Sequence, residues 1–114
     1  MTGETVAPAE RGATRIADRV VAKIASQAAR EALVTVPSGG SPPHATVSVR
    51  RDVARVRVSV ELGYPSDIGG QCAAVRQQVT RRVTALAGLT VPEVAVQVER
   101  LHPAQLADAG RRAQ

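Results

Sequence analysis

The residues of this chain that could perform chemistry are few and lie far apart in the sequence. The single cysteine, Cys72, falls in an apolar helical stripe, where cysteine typically packs as a small hydrophobic residue. His44 and His102 each adjoin a proline, and neither stands at a metal-ligand spacing from the other or from Cys72. We therefore expect a core cysteine, two solvent-exposed loop histidines, and no metal or cofactor.

The carboxylates show no pattern typical of acid–base catalysis. Two are predicted in a turn and at a helix start, and three on the outward faces of strands: Asp52, Asp67, Glu61, Glu93 and Glu99. No apolar pocket is predicted that would raise the pKa of any of them. The glycine pairs at 39–40 and 69–70 lack the flanking glycines and the lysine of a phosphate-binding loop. We therefore expect no catalytic residues and no enzymatic activity.

The stretch ARVRVSVEL at 54–62 carries the candidate binding surface. Valines alternate with polar residues, and successive side chains of a strand point to opposite faces of the sheet. Helices are expected to cover the apolar face only. The polar face is therefore a candidate surface for another copy of the chain or an anchor protein, with bare solvent as the alternative. Its residues are Arg55, Arg57, Ser59 and Glu61.

Nucleic-acid binding is the second functional hypothesis. The net charge is +5, and arginines in the second strand and second helix could contact phosphates: Arg55, Arg57, Arg76, Arg81 and Arg82. Sheet surfaces that bind single strands stack bases on aromatic side chains, however, and Tyr64 is the only aromatic residue. A Gly-x-x-Gly clamp is also missing. Binding of this kind would weaken steeply with added salt.

Hydrophobic periodicity divides the chain into five elements. Apolar spacings of three and four predict helices at 14–33, with Thr14 as N-cap, and at 67–87, with Gly88 as C-cap. Alternation predicts strands at 45–50, 53–63 and 93–101, and the proline-rich stretch 37–43 is a loop. One domain is expected at 14–102, between flexible tails at 1–13 and 103–114.

Each predicted strand has a single apolar face, so both helices are expected to lie on that side of the sheet. The prediction is a two-layer α+β fold, with a three-stranded sheet and the order α-β-β-α-β. We expect the first strand in the centre, with all neighbouring strands antiparallel. No apolar run approaches the roughly 20 residues that span a bilayer, and no signal peptide is evident. A cytoplasmic protein is expected, with any membrane association supplied by a partner or by electrostatic attraction.

Three segments together resemble one protein family. RIADRVVAKIASQAAREA at 15–32, VRVSVELGYPSDI at 56–68 and VTALAGLTVPEVAVQV at 83–98 are similar, in this order, to the bacterial alkaline-shock, or general-stress, proteins of the envelope stress response. The resemblance covers about 14–102, and the chain departs from the family pattern at Pro65, Ala87 and Ala95.

The resemblance implies a non-enzymatic, cytoplasmic protein of the cell-envelope stress response. Proteins of this family self-associate, and separate anchor proteins hold them near the membrane. From this resemblance we expect a scaffold or interaction module that forms homo-oligomers.

Overall fold

The fold is a three-stranded sheet with two helices on one face. A computed structural model describes residues 8–33 and 36–103, with side chains from residue 17 onward. The elements are α1 (Pro8–Ala32), β1 (His44–Arg50), β2 (Val53–Tyr64), α2 (Ile68–Ala87) and β3 (Thr90–Pro103). Their order is α-β-β-α-β, so the predicted α+β class and two-layer arrangement are confirmed.

The strand order differs from the expected one. β2 lies in the centre, pairing antiparallel with β1 and parallel with β3. The prediction of β1 in the centre with antiparallel neighbours is therefore wrong. The physical reason is that α2 carries the chain back across the sheet, which lets β3 start at the same end as β2. The central strand is also the best buried, since Val58, Val60 and Leu62 are almost inaccessible.

A two-residue turn joins β1 to β2. Arg51 and Asp52 both have positive φ, at 51° and 65°. Two successive left-handed residues match the right-handed twist of the flanking strands, which is why such turns dominate tight hairpins. The carbonyl oxygen of Asp52 also accepts a hydrogen bond from the backbone N–H of Thr90, at 2.8 Å. The turn therefore fixes the start of β3 as well as the hairpin.

The core is built from small side chains. Ala25, Ala28 and Ala29 of α1 are fully buried, and the buried residues of α2 are all valine. Alanine at the contact lets a helix approach the sheet closely, because it has no side chain beyond Cβ. Cys72 is half-buried and packs against this core, which agrees with its predicted structural position.

The second helix begins and ends as its sequence predicts. The side chain of Asp67 accepts a hydrogen bond from the N–H of Gly70, at 3.0 Å. A Cβ at Gly70 would meet that carboxylate, so a larger residue here would displace the capping side chain. At the other end, Gly88 adopts φ 67° and donates its N–H to the carbonyl oxygen of Thr84.

The first helix and the last strand are longer than expected. α1 begins at Pro8, so residues 8–13 are helical and Thr14 is not an N-cap. Proline is favoured in a first helical turn, where its missing N–H costs no hydrogen bond. β3 spans Thr90–Pro103 instead of 93–101. The rest of the two predicted tails, 1–7 and 104–114, lies outside the described residues.

Side chains of α1 cap the free edge of β1. The N–H of Ala45 donates to Ser26 Oγ and the N–H of Val49 to Asp18 Oδ1, each at 3.1 Å. These N–H groups point away from β2, and an unpaired edge would offer them to another strand. The other edge strand, β3, contains Pro92 and a register shift near its end. Proline and bulges both discourage edge pairing.

The packing predicts a sharp contrast along α2. Val79 is fully buried, whereas Leu86 is 60% exposed. We expect Val79→Ala to lower the free energy of unfolding by about 2 kcal/mol, through lost contacts and a residual cavity. Leu86→Ala, on the same helix, should change it by less than about 0.5 kcal/mol. Urea unfolding followed by circular dichroism measures both, and equal losses would contradict this packing.

The edge cap predicts a second effect. We expect Asp18→Ala to cost about 1 kcal/mol of stability, because the N–H of Val49 loses its acceptor. Asp18→Asn keeps a side-chain oxygen and should restore most of the loss. Amide hydrogen exchange should show the Val49 amide losing protection in Asp18→Ala alone. Unchanged protection of that amide would show that the hydrogen bond does not form in solution.

Candidate interaction surface

Three cross-strand rows form the polar face of the sheet that points away from the helices, called here the outward sheet face. Pairing aligns Ser48 with Arg55 and Glu93, and Thr46 with Arg57 and Ala95. A third row contains His44, Ser59 and Gln97. The side chains of each row share one face because they occupy matched positions of the pleat. The predicted alternation of β2 therefore places Arg55 and Arg57 side by side on this face.

The arginines of this face are available to a partner. Arg55 and Arg57 are exposed and border a shallow depression of about 380 Å³, together with Thr46, Ser48 and Glu93. Among the described residues, neither arginine nor Glu93 takes part in an ion pair. No described helix packs on this face, since both helices contribute to the core on the opposite side. The depression therefore offers charges of both signs that no described residue neutralises in an ion pair.

The other two residues predicted for this face have different surroundings. Ser59 is half-buried. The carboxylate of Glu61 lies 2.7 Å from His102 Nε2 and accepts a hydrogen bond from the N–H of Ser41 at 3.3 Å. Its side chain is only 15% exposed and that of His102 only 17%. The carboxylate of Glu61 is thus already engaged by His102 and Ser41. The expected interaction face therefore reduces to Arg55, Arg57 and their neighbours on β1 and β3.

The position of His102 corrects the expectation of two exposed loop histidines. His102 belongs to β3 and is mostly buried, while His44 is the first residue of β1 and is exposed. A register shift in β3 explains the contact: Val98 pairs with Val60, but Arg100 pairs with Glu61. Glu99 is the extra residue, so the alternation reverses after it. His102 consequently lies on the outward side, beside Glu61.

The loop before β1 closes over this pair. A Cβ added at Gly40 would lie 3.2 Å from His102 Nε2 and 3.0 Å from the carbonyl oxygen of Pro37. A larger residue would therefore displace either the loop or the histidine. The hydrogen bond from His102 and that from the N–H of Ser41 hold the pKa of Glu61 below its usual value of 4.5. A carboxyl group with a lowered pKa is a poor general acid near neutral pH.

The remaining candidate residues do not assemble into a chemical site. In the part of the chain that the structure describes, no group of three or more His, Cys, Asp or Glu side chains is placed to hold a metal ion. Arg76 and Arg81 are exposed on α2, and Arg82 pairs with Glu31 of α1 at 3.2 Å. These helix arginines lie on the opposite layer from Arg55 and Arg57. The arginines that could contact nucleic acid therefore do not form one continuous surface.

Comparisons with family models, curated proteins and solved structures found no match to this chain. The resemblance to the alkaline-shock proteins stays a prediction that rests on the three sequence segments. Neither described helix is long and apolar enough to cross a membrane.

The Glu61–His102 contact predicts a pH-dependent contribution to stability. Because folding lowers the pKa of Glu61, the contribution is fully present above its ordinary value of 4.5 and is lost as pH falls through the lower folded-state pKa. We expect Glu61→Gln to reduce the melting temperature near pH 6, and we expect its difference from the wild type to shrink as pH falls below 4.5 and the wild-type carboxylate becomes protonated.

Thermal unfolding of both proteins across this pH range measures the difference. Glu93→Gln is the matched control, because Glu93 is exposed and has no ion-pair partner among the described residues. A Glu61→Gln effect that does not change as pH falls would show that the carboxylate charge is not involved.

Proposed function

We propose that this protein is a non-enzymatic interaction module that self-associates through the outward sheet face and acts as a scaffold. The proposal rests on charges of both signs around one exposed depression, Arg55, Arg57 and Glu93, which form no ion pair with another described residue. The role of the protein in the envelope stress response, near a membrane-anchor protein, is proposed from the family resemblance alone.

The charge pattern supports a second copy as the partner. In a two-fold symmetric dimer the same patch is used by both subunits. A patch with charges of both signs can then be self-complementary, since an arginine of one copy can meet a glutamate of the other. Arg55 and Glu93 are register neighbours, which places both signs within a single row. A polyanion would be repelled by Glu93 and attracted only by the arginines.

The sheet edges favour the same conclusion. Strand addition at β1 would have to displace hydrogen bonds from Ala45 and Val49 to α1. At β3, Pro92 supplies no N–H, and the register shift disturbs the regular edge. Face-to-face contact through the outward sheet face needs none of these changes. We therefore assign assembly to the face of the sheet and not to its edges.

The association is expected to be reversible. The large apolar residues exposed in the described part of the chain are Val20, Val36, Tyr64, Leu86 and Leu101, and none lies in the three rows of the outward sheet face. The residues that usually dominate affinity are tryptophan, tyrosine and arginine, and the three rows contain arginine but neither of the two aromatic residues. Polar contacts of this kind set orientation and specificity more than strength.

A double substitution tests the proposal. We expect Arg55→Ser with Arg57→Ser to shift self-association to higher protein concentration by at least about tenfold, since both cations of the patch are lost. The melting temperature should stay nearly unchanged, because exposed charges contribute only about 0–1 kcal/mol to folding. Sedimentation velocity over a concentration series measures the assembly, and thermal unfolding measures the stability.

The matched control is Lys23→Gln with Arg81→Gln, which removes the same charge from the helical layer. This control should assemble like the wild type. Equal assembly of the wild type and the Arg55/Arg57 variant would show that the face is only solvated. Loss of oligonucleotide binding by that variant, with assembly unchanged, would indicate the nucleic-acid function instead.

A further inference from the structure

The layer of helices presents a different charge pattern from the sheet. Exposed or half-exposed basic side chains follow both helices along their solvent side: Arg19, Lys23 and Arg30 on α1, and Arg76, Arg81 and Arg82 on α2. We call this surface the outer helical face. Helical spacing places Lys23 and Arg81 opposite the buried residues of their helices. The face is therefore basic along both of its helices.

Internal contacts occupy the acidic residues of these segments. From residue 17 to 32 and throughout α2, the acidic side chains are Asp18 and Glu31. Asp18 accepts the N–H of Val49, at the edge of the sheet. Glu31 accepts hydrogen bonds from Gln78 at 2.9 Å and from Arg82 at 3.2 Å, in the groove between the helices. Neither carboxylate is left to neutralise the other basic groups.

One aliphatic side chain stands beside these cations. Val20 is 51% exposed and lies three residues before Lys23, on the neighbouring turn of the same side of α1. Leu86 is exposed too, but it lies three residues after Val83 and continues the stripe of buried valines on α2, so it does not belong to the outer helical face.

We propose that the outer helical face docks directly, as a peripheral surface, on a membrane of anionic phospholipid. Basic side chains near such a surface are attracted by its negative potential, and neighbouring aliphatic side chains gain by entering the headgroup region. The site differs from the outward sheet face, so a copy held at the membrane still presents Arg55 and Arg57 on its other side. The inference does not depend on self-association.

Anionic lipid fits this surface better than nucleic acid does. No aromatic side chain lies on α1 or α2, so the surface offers no ring on which an unpaired base could stack. Val20 would face charged phosphates in a nucleic-acid complex, where its aliphatic side chain gains nothing.

Vesicle co-sedimentation tests the proposal. The full chain is mixed with phosphatidylcholine vesicles that contain or lack phosphatidylglycerol, at protein concentrations where sedimentation shows a monomer. We expect binding only to the anionic vesicles, and we expect it to fall steeply as salt rises from about 0.05 M to about 0.5 M. Each basic side chain near the surface strengthens binding about fivefold, so Lys23→Gln with Arg81→Gln should weaken it about 25-fold.

A second pair, Arg30→Gln with Arg76→Gln, should give a similar loss of vesicle binding. Agreement between the two pairs separates an effect of surface charge from misfolding of one variant. Arg55→Ser with Arg57→Ser is the matched control and should bind like the wild type. No binding to anionic vesicles, or equal binding to both vesicle types, would overturn the proposal. So would equal losses in all three double variants, or a helical variant that loses only the binding of oligonucleotides.

Discussion

The close approach of α1 to the sheet is the constraint on which this structure depends. The fully buried Ala25, Ala28 and Ala29 let the helix backbone lie near the strands, in a core that contains no aromatic residue. At that distance, the short side chains of Asp18 and Ser26 reach the backbone of β1. Packing thereby closes one edge of the sheet and places both helices on one face, which leaves the charged residues of β2 on the other.

Much of the fold follows from the sequence because alternation and helical spacing are local signals. Val56, Val58 and Val60 predict the buried face of β2, Ser66 or Asp67 predicts the start of α2, and Gly88 predicts its end. The strand order was not predictable in the same way, since it depends on where α2 returns the chain and not on any pattern within a strand. The start of α1 was also missed, because the stretch before Thr14 lacks apolar periodicity while Pro8 favours a first turn.

The candidate site was predicted in part. Alternation in β2 correctly places Arg55 and Arg57 on the outward sheet face, and β1 and β3 add Thr46, Ser48 and Glu93 through their register. The contact between Glu61 and His102 could not be predicted, because the two residues are 41 positions apart and meet only after the register shift at Glu99. Without that shift, strict alternation places His102 on the helix side of the sheet. The proline that follows His102 predicts a loop at this position, so the sequence indicates an exposed histidine and not a mostly buried one.

The central claim is that copies of this protein meet through the outward sheet face. Nuclear magnetic resonance of the isotope-labelled chain, recorded from dilute to concentrated solution, tests it at single residues. We expect the chemical shifts of five residues of the outward sheet face to change with concentration: Thr46, Ser48, Arg55, Arg57 and Ala95. The backbone amides of Ala45 and Val49 should stay unchanged. Shifts at the edge amides of Ala45 and Val49 without shifts at Arg55 and Arg57 would contradict it, and so would shifts confined to the helices or a spectrum that does not change with concentration.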